Sequence, residues 1–179
     1  LLNVQLKRLP GMIKKMRSER DKILNATQNL SNMGIKHSQL NSKKYDCGNY
    51  VFFKFNNHLD AKNFTSIFSA PIAGKTGRHN YTECDQILMK EGSFHQSLNP
   101  FKLSENKKCR MNYSKDMCKS SLEILDKTIL IPTDPKNTKK DTDNTIKNIK
   151  KAALAYVNNE HVSIKQKSID IGKFDYSLK

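Results

Sequence analysis

Chemistry in this chain concentrates in one stretch, Gly74–Asp85, which reads Gly-Lys-Thr-Gly-Arg-His-Asn-Tyr-Thr-Glu-Cys-Asp. Gly74 and Gly77, three residues apart, allow the backbone to turn sharply and approach a ligand. Arg78 follows as a forked, permanent cation, and His79 as a ring that titrates near neutrality. Thr82 and Asp85, spaced i and i+3, predict a capping box at the start of a short helix. A tight turn, a cation, a polar ring and a helix N-terminus together suit an anionic ligand. The plain alternative is a surface hairpin whose Arg78 and His79 face water.

More specific chemistries fit this stretch poorly. Gly-Lys-Thr has the ending of a phosphate-binding loop, but the first glycine of that motif would fall on Ser69. Pro71 would also sit where backbone donors must cradle phosphate. A zinc site built from His79, Cys84, Cys109 and Cys118 lacks any close Cys-x-x-Cys or His-x3-His pair to anchor it. A Cys84–His79 nucleophile pair would straddle the predicted helix start.

The elements that must position these residues are modest. The 179 residues suffice for one domain with a core, or a domain plus an arm. Hydrophobic residues make up 36% and tryptophan is absent, so part of the chain is expected to be peripheral. No apolar run of the length that spans a bilayer is present. The opening Leu-Leu-Asn-Val is not that of a signal peptide and reads as a helix already under way. Four scattered cysteines (Cys47, Cys84, Cys109, Cys118) read as reduced thiols of a cytoplasmic protein, mostly small buried hydrophobes.

A net charge of +15 invites a nucleic-acid reading. The make-up of that charge argues otherwise. Only Arg8, Arg17, Arg20, Arg78 and Arg110 are arginines, and no aromatic residues interleave with the scattered lysines as a base-stacking platform requires. A basic nucleic-acid-binding or other stand-alone binding module therefore remains the alternative reading, without specific nucleic-acid recognition.

Along the chain, Leu2, Leu6, Leu9, Ile13, Met16, Ile23 and Leu30 fall on alternating four-and-three spacing, with Arg20 and Thr27 filling the missing steps. That pattern predicts an amphipathic helix over 2–30 with a narrow apolar stripe, bent near Leu9 by Pro10 and seeking a partner outside its own chain. Gly34 closes the unit as a C-terminal cap, and 36–46 is a polar loop. Tyr50–Phe55 predicts a strand, and Leu59–Phe68 a helix barred by Pro71. A short helix to Met89 ends at Gly92, and 93–113 is a long ordered loop whose His95, Phe101, Arg110 and Tyr113 border a site. Ser114 is expected to cap a helix to Leu125. Thr128–Ile131 is a second strand, and Thr142–Val157 a helix with Ile146, Ile149, Ala153, Leu154 and Val157 inward. The tail from His161 is either an edge strand or disordered. The predicted class is α+β: a small, mainly antiparallel sheet with helices on one face.

Three phrases carry a resemblance. Gln5-Leu6-Lys7-Arg8-Leu9-Pro10, then Thr76-Gly77-Arg78-His79 with Tyr81, then Cys118 with Ser121–Leu125 and Thr128–Pro132, resemble the C-terminal part of sugar aminotransferases. These are the pyridoxal-phosphate enzymes of the DegT/DnrJ/EryC1/StrS family, fold type I, and the flavour is that of the branch aminating a keto-octulosonate sugar acid, the 8-amino-3,8-dideoxy-octulosonate transaminases of lipopolysaccharide biosynthesis. The resemblance covers residues 2–157. It implies a connecting helix over 1–33, a small C-terminal domain over 34–157 and a tail over 158–179. It further implies that a large N-terminal domain, absent from this chain, supplies the cofactor lysine and most contacts to pyridoxal phosphate, and that the apolar stripe of the first helix packs on it. On that footing the chain alone is inactive and the parent is a homodimer. The substrate-facing histidine falls on His79, Arg78 beside it holds an acidic group of the sugar, and Tyr81 and Arg110 are further substrate-binding candidates. Glutamate or glutamine is the implied amino donor.

Overall fold

The computed structural model describes residues 2–76, 80–109, 112–160 and Ile164. Its architecture is α+β, a three-stranded antiparallel sheet with a long N-terminal helix. Helix α1 spans Leu2–Ala26 and runs through Pro10; a 3-10 turn, Gln28–Met33, then replaces the last α-helical turn expected to Leu30. Gly34 closes it in the left-handed region, at φ 78°, with its N–H returned to the carbonyls of Leu30 and Ser31.

The sheet has one strand more than expected. Strand β1 is only Lys36–His37, β2 is Tyr50–Lys54 and β3 is Thr128–Pro132, in the order β1-β2-β3. Pairing sets Lys36 opposite Lys54, Phe53 opposite Ile129 and Val51 opposite Ile131. Along β2 the burial alternates, so Val51 and Phe53 enter the core while Tyr50, Phe52 and Lys54 are half-buried. The predicted polar loop 36–46 thus begins with a strand, because His37 and Lys36 pair with β2 rather than because their own composition favours extension.

Three helices supply the rest of the core. Helix α2 (His58–Ile67) is capped by Asn57, whose side chain accepts from the Asp60 N–H at 2.9 Å, and buries Ala61, Phe64 and Ile67. Helix α5 (Lys139–Val157) starts three residues earlier than Thr142. Thr138 and Asp141 form a reciprocal capping box there, and two lysines in the first turn hide that start from any apolar pattern. Its inward residues are Ile149, Ala152, Ala153 and Ala155; Leu154 and Val157, expected inside, are 54% and 49% exposed. The three buried alanines carry little side-chain bulk, so the α5 backbone lies close to α2, where Tyr156 meets Phe55 and Phe64 edge-on. Ile164 is buried and bridges Phe68 in parallel, its N–H donating to the carbonyl of Ile67 at 2.6 Å.

The described residues 80–109 and 112–118 form an arm. It carries a 3-10 turn at Tyr81–Glu83, helix α3 (Asp85–Leu88) and two further 3-10 turns at Gln96–Leu98 and Ser104–Asn106, the last two within the predicted loop. The expected Thr82–Asp85 capping box is not the cap used. Asn80 instead accepts from the Thr82 N–H at 2.9 Å. Helix α4 begins at Lys119, after Cys118, and runs to Asp126; Ser114 lies upstream of it. The cysteines are also a correction. Cys47, Cys109 and Cys118 are exposed and Cys84 is half-buried.

Candidate functional site

Gly77, Arg78 and His79, and also Arg110, lie outside the described residues; Tyr81 and the turn before them are described. The turn at Ala73–Lys75 packs against the end of α4. A Cβ on Gly74 would stand 2.5 Å from Oδ1 of Asp126, so a carboxylate occupies one side of the turn and would have to swing aside for any larger residue. That placement disfavours a second anion at Gly74 itself.

Tyr81 is spent on the backbone. Its hydroxyl donates to the carbonyl of Lys115 at 2.7 Å and accepts from the N–H of Cys118 at 3.2 Å, tying the base of the arm to the start of α4. Inside the arm the organiser is Asn99, the one buried residue among described residues 80–118. Its amide donates to the carbonyl of Lys90 at 3.0 Å and its oxygen accepts from the N–H of Phe101 at 3.0 Å. Gly92 faces the Pro100 ring, where a Cβ would come within 2.7 Å, and Phe101 meets Tyr113 edge-on. His95 binds Ser97 at 2.6 Å and remains exposed.

A second constellation, on α1, escaped sequence reasoning although its signal was visible at Arg20 and Thr27. Arg20 is 1% exposed and bridges Asp21, at 2.9 Å, and Asp46, whose Oδ1 also accepts from the Gly48 N–H at 2.7 Å. Nε of Arg17 donates to the carbonyl of Asp46 at 2.6 Å. Gly48 has φ 73° and lies on the α1 backbone, where a Cβ would meet the Arg17 main chain at 2.8 Å. Next to this knot, the buried Glu19 carboxylate accepts from the Asp134 N–H at 3.0 Å and from the Asn137 amide at 2.8 Å. Burial, chiefly, raises its pKa above the usual glutamate value; the Asn137 and Asp134 hydrogen bonds oppose this, while the charges of Asp134 and Asp141 add to it.

Thr27 completes the cluster one turn on. Its single hydroxyl proton goes to the carbonyl of Ile23 at 2.6 Å, so the oxygen accepts from Nε2 of His37 at 2.8 Å, which assigns the proton of the neutral ring to Nε2. The ring stacks on Phe53 at 5.2 Å between centroids, and burial lowers its pKa. These contacts clamp α1 to the sheet and to the 133–138 turn; they hold structure rather than present reactive groups.

A groove of about 810 Å³ runs along α1 from Leu6 to Asn25, walled by Leu6, Leu9, Pro10 and Ile13 and edged by Lys14, Arg17, Asp21 and Lys22. No helix among the described residues is long and apolar enough to cross a membrane. No protein-family model matches the chain, and no curated protein sequence is detectably similar to it.

Proposed function

We propose that this chain is the small domain of a pyridoxal-phosphate-dependent sugar aminotransferase, in a parent enzyme whose large domain holds the cofactor. The observation that carries this reading is the meeting of two resembling phrases that are distant in sequence. Tyr81, from the Thr76–Tyr81 phrase, binds the N–H of Cys118, which opens the phrase running through α4 into β3.

The described residues do not themselves fit the cofactor. Of the described lysines, Lys54 and Lys127 are half-buried and the others are exposed, so none offers the desolvated amine that such chemistry uses. In this reading the cofactor sits on the large domain, and the small domain contributes contacts to the sugar. Arg78 binds an acidic group of the keto sugar by paired hydrogen bonds, and His79 beside it binds or relays a proton. Glutamate or glutamine donates the amino group, the site acts in the cytoplasm, and the lysine surface is a solvated one.

The test is single-turnover kinetics of the two half-reactions in the parent enzyme. Arg78→Ala removes a charge-assisted contact of about 1.5–3 kcal/mol. The expected result is a loss of roughly ten- to a hundred-fold in kcat/KM for the sugar, with the amino-donor half-reaction nearly unchanged. Equal rates in both half-reactions for wild type and variant would overturn the assignment of Arg78. A parent enzyme that moves no amino group to any keto sugar would overturn the function.

A further inference from the structure

Most of the lysines behind the net charge of +15 are spread over the surface, but the sheet brings two of them together. Strand pairing sets Lys36 directly opposite Lys54, on the face of the sheet turned away from Val51 and Phe53. Like charges in directly opposed positions repel and weaken a sheet. Among the described residues neither lysine makes an ion pair. On the same face Phe52 stands two residues before Lys54, about 7 Å along the strand. Its ring lines a pocket of about 370 Å³ whose other walls come from the loop 39–46.

That pocket has the make-up of a base site. Tyr45, 77% exposed, offers a second ring beside Phe52, and rings of this kind hold flat aromatic ligands by stacking. The Lys44 ammonium lies 5.3 Å from the Tyr45 centroid, which leaves the other face of that ring for a ligand. The side-chain amides of Gln39 and Asn41 line the same pocket and have no hydrogen-bond partner among the described residues. Each offers an acceptor and two donors, the set that pairs bidentately with the N6/N7 edge of adenine. Guanine is read instead by a forked cation or by both oxygens of a carboxylate. The pocket lining has no arginine or lysine, and Oδ1 of its Asp46 is already filled by Arg20 and by the Gly48 N–H. A ribose spans the step from a base on Phe52 to a phosphate on the two lysines, and the phosphate relieves their repulsion. We propose that this corner of the sheet binds an adenine mononucleotide, its base against Tyr45 and Phe52 and its phosphate on Lys36 and Lys54. The site uses none of the residues assigned to the sugar, so the inference does not rest on the aminotransferase reading.

Calorimetric titration of the chain with adenosine, adenosine monophosphate, guanosine monophosphate and inorganic phosphate tests it. Adenosine monophosphate should saturate one site and bind about ten-fold tighter, or more, than each of the other three. Lys36→Gln with Lys54→Gln should bring it down to the affinity of adenosine, while adenosine itself binds as before. Tyr45→Ala should weaken adenosine and adenosine monophosphate alike, by about ten-fold. That ring is exposed, so the fold, checked by circular dichroism, should not change. Gln39→Leu with Asn41→Leu should erase the preference for adenine over guanine. A chain with no saturable binding of adenosine monophosphate would overturn the proposal. So would adenosine monophosphate bound no tighter than phosphate, or bound equally by the double lysine variant. A single-stranded oligoadenylate held far tighter than the mononucleotide at physiological salt would overturn it in favour of RNA.

Discussion

Between Leu2 and Ile13 the large side chains of α1 meet water, with Leu2 at 68% and Leu6 at 52% exposure, whereas from Glu19 to Leu30 the same four-and-three spacing places Ile23 at 0% and Leu30 at 2%. The second half even carries Arg20 and Thr27 inside, at 1% and 0%. Periodicity therefore decides which face of a helix is apolar, and the neighbours decide whether that face is covered. For the buried half those neighbours are α5, β2 and the turns holding Asp46 and Asp134; polar groups enter with it because each finds partners there.

The sharpest way to break the contrast is to remove Arg20. Arg20→Ala leaves Asp46 without its buried cation and should cost about 3 kcal/mol of stability. In the exposed half, Lys14→Ala should stay within about 0.5 kcal/mol of wild type. Urea melts of both variants decide it, and equal effects would mean that the two halves do not differ energetically.

Next in size is Thr27→Val, which preserves shape but strips the hydroxyl between Ile23 and His37. The Nε2 proton of His37 then faces no acceptor in a half-buried site, and the loss should be about 1–3 kcal/mol. A cost near zero would mean that water replaces the hydroxyl.

Opposite pKa shifts in the clamped half give pH signatures of opposite sign. The Glu19 carboxyl is raised, so the folded state holds its proton more tightly than the unfolded chain. Stability then falls as pH rises from the ordinary glutamate value of 4.5 to the raised folded value. His37 is lowered, so its contribution is complete above the ordinary value of 6.5 and is lost as pH falls through the folded value. Glu19→Gln should remove the first slope and His37→Gln the second, read from urea melts across that range. Slopes that survive these substitutions would assign the pH dependence elsewhere. The smallest effect is chemical: Cys47, Cys109 and Cys118 should react with a thiol reagent in the folded protein faster than Cys84. Equal rates for all four would contradict the exposure pattern.

Much of the fold was legible where a residue's own chemistry sets its conformation. Gly34, β2 and α2 follow from a left-handed cap, aromatic and β-branched composition, and the helical spacing of Phe64, Ile67 and Phe68 before Pro71. Strand β1 was hidden because pairing with β2 makes it a strand, and the α5 start because Lys139 and Lys140 give no apolar signal. Leu154 and Val157 fit a helical stripe but meet water, because the buried face of α5 is the one carrying Ile149, Ala152, Ala153 and Ala155. At the candidate site, Tyr81 was legible as a polar aromatic beside the turn; its backbone partners at Lys115 and Cys118 were not, because nothing local links residues so far apart. The carboxylate of Asp126 against Gly74 was invisible for the same reason.

Strand order has a consequence for how this chain reaches its native state and how it tolerates change. Lys54 pairs with Thr128, so the sheet closes only after α2, the arm and α4 have been looped out between them. Pairing across so long a separation slows folding more than it weakens the product, since each doubling of a flexible loop adds only about 0.6 kcal/mol. The arm is therefore the segment in which insertions and deletions cost least. Lengthening it between Asn99 and Lys115 should slow refolding while leaving the unfolding rate of the sheet almost unchanged, which makes it the natural place for related chains to diverge in length.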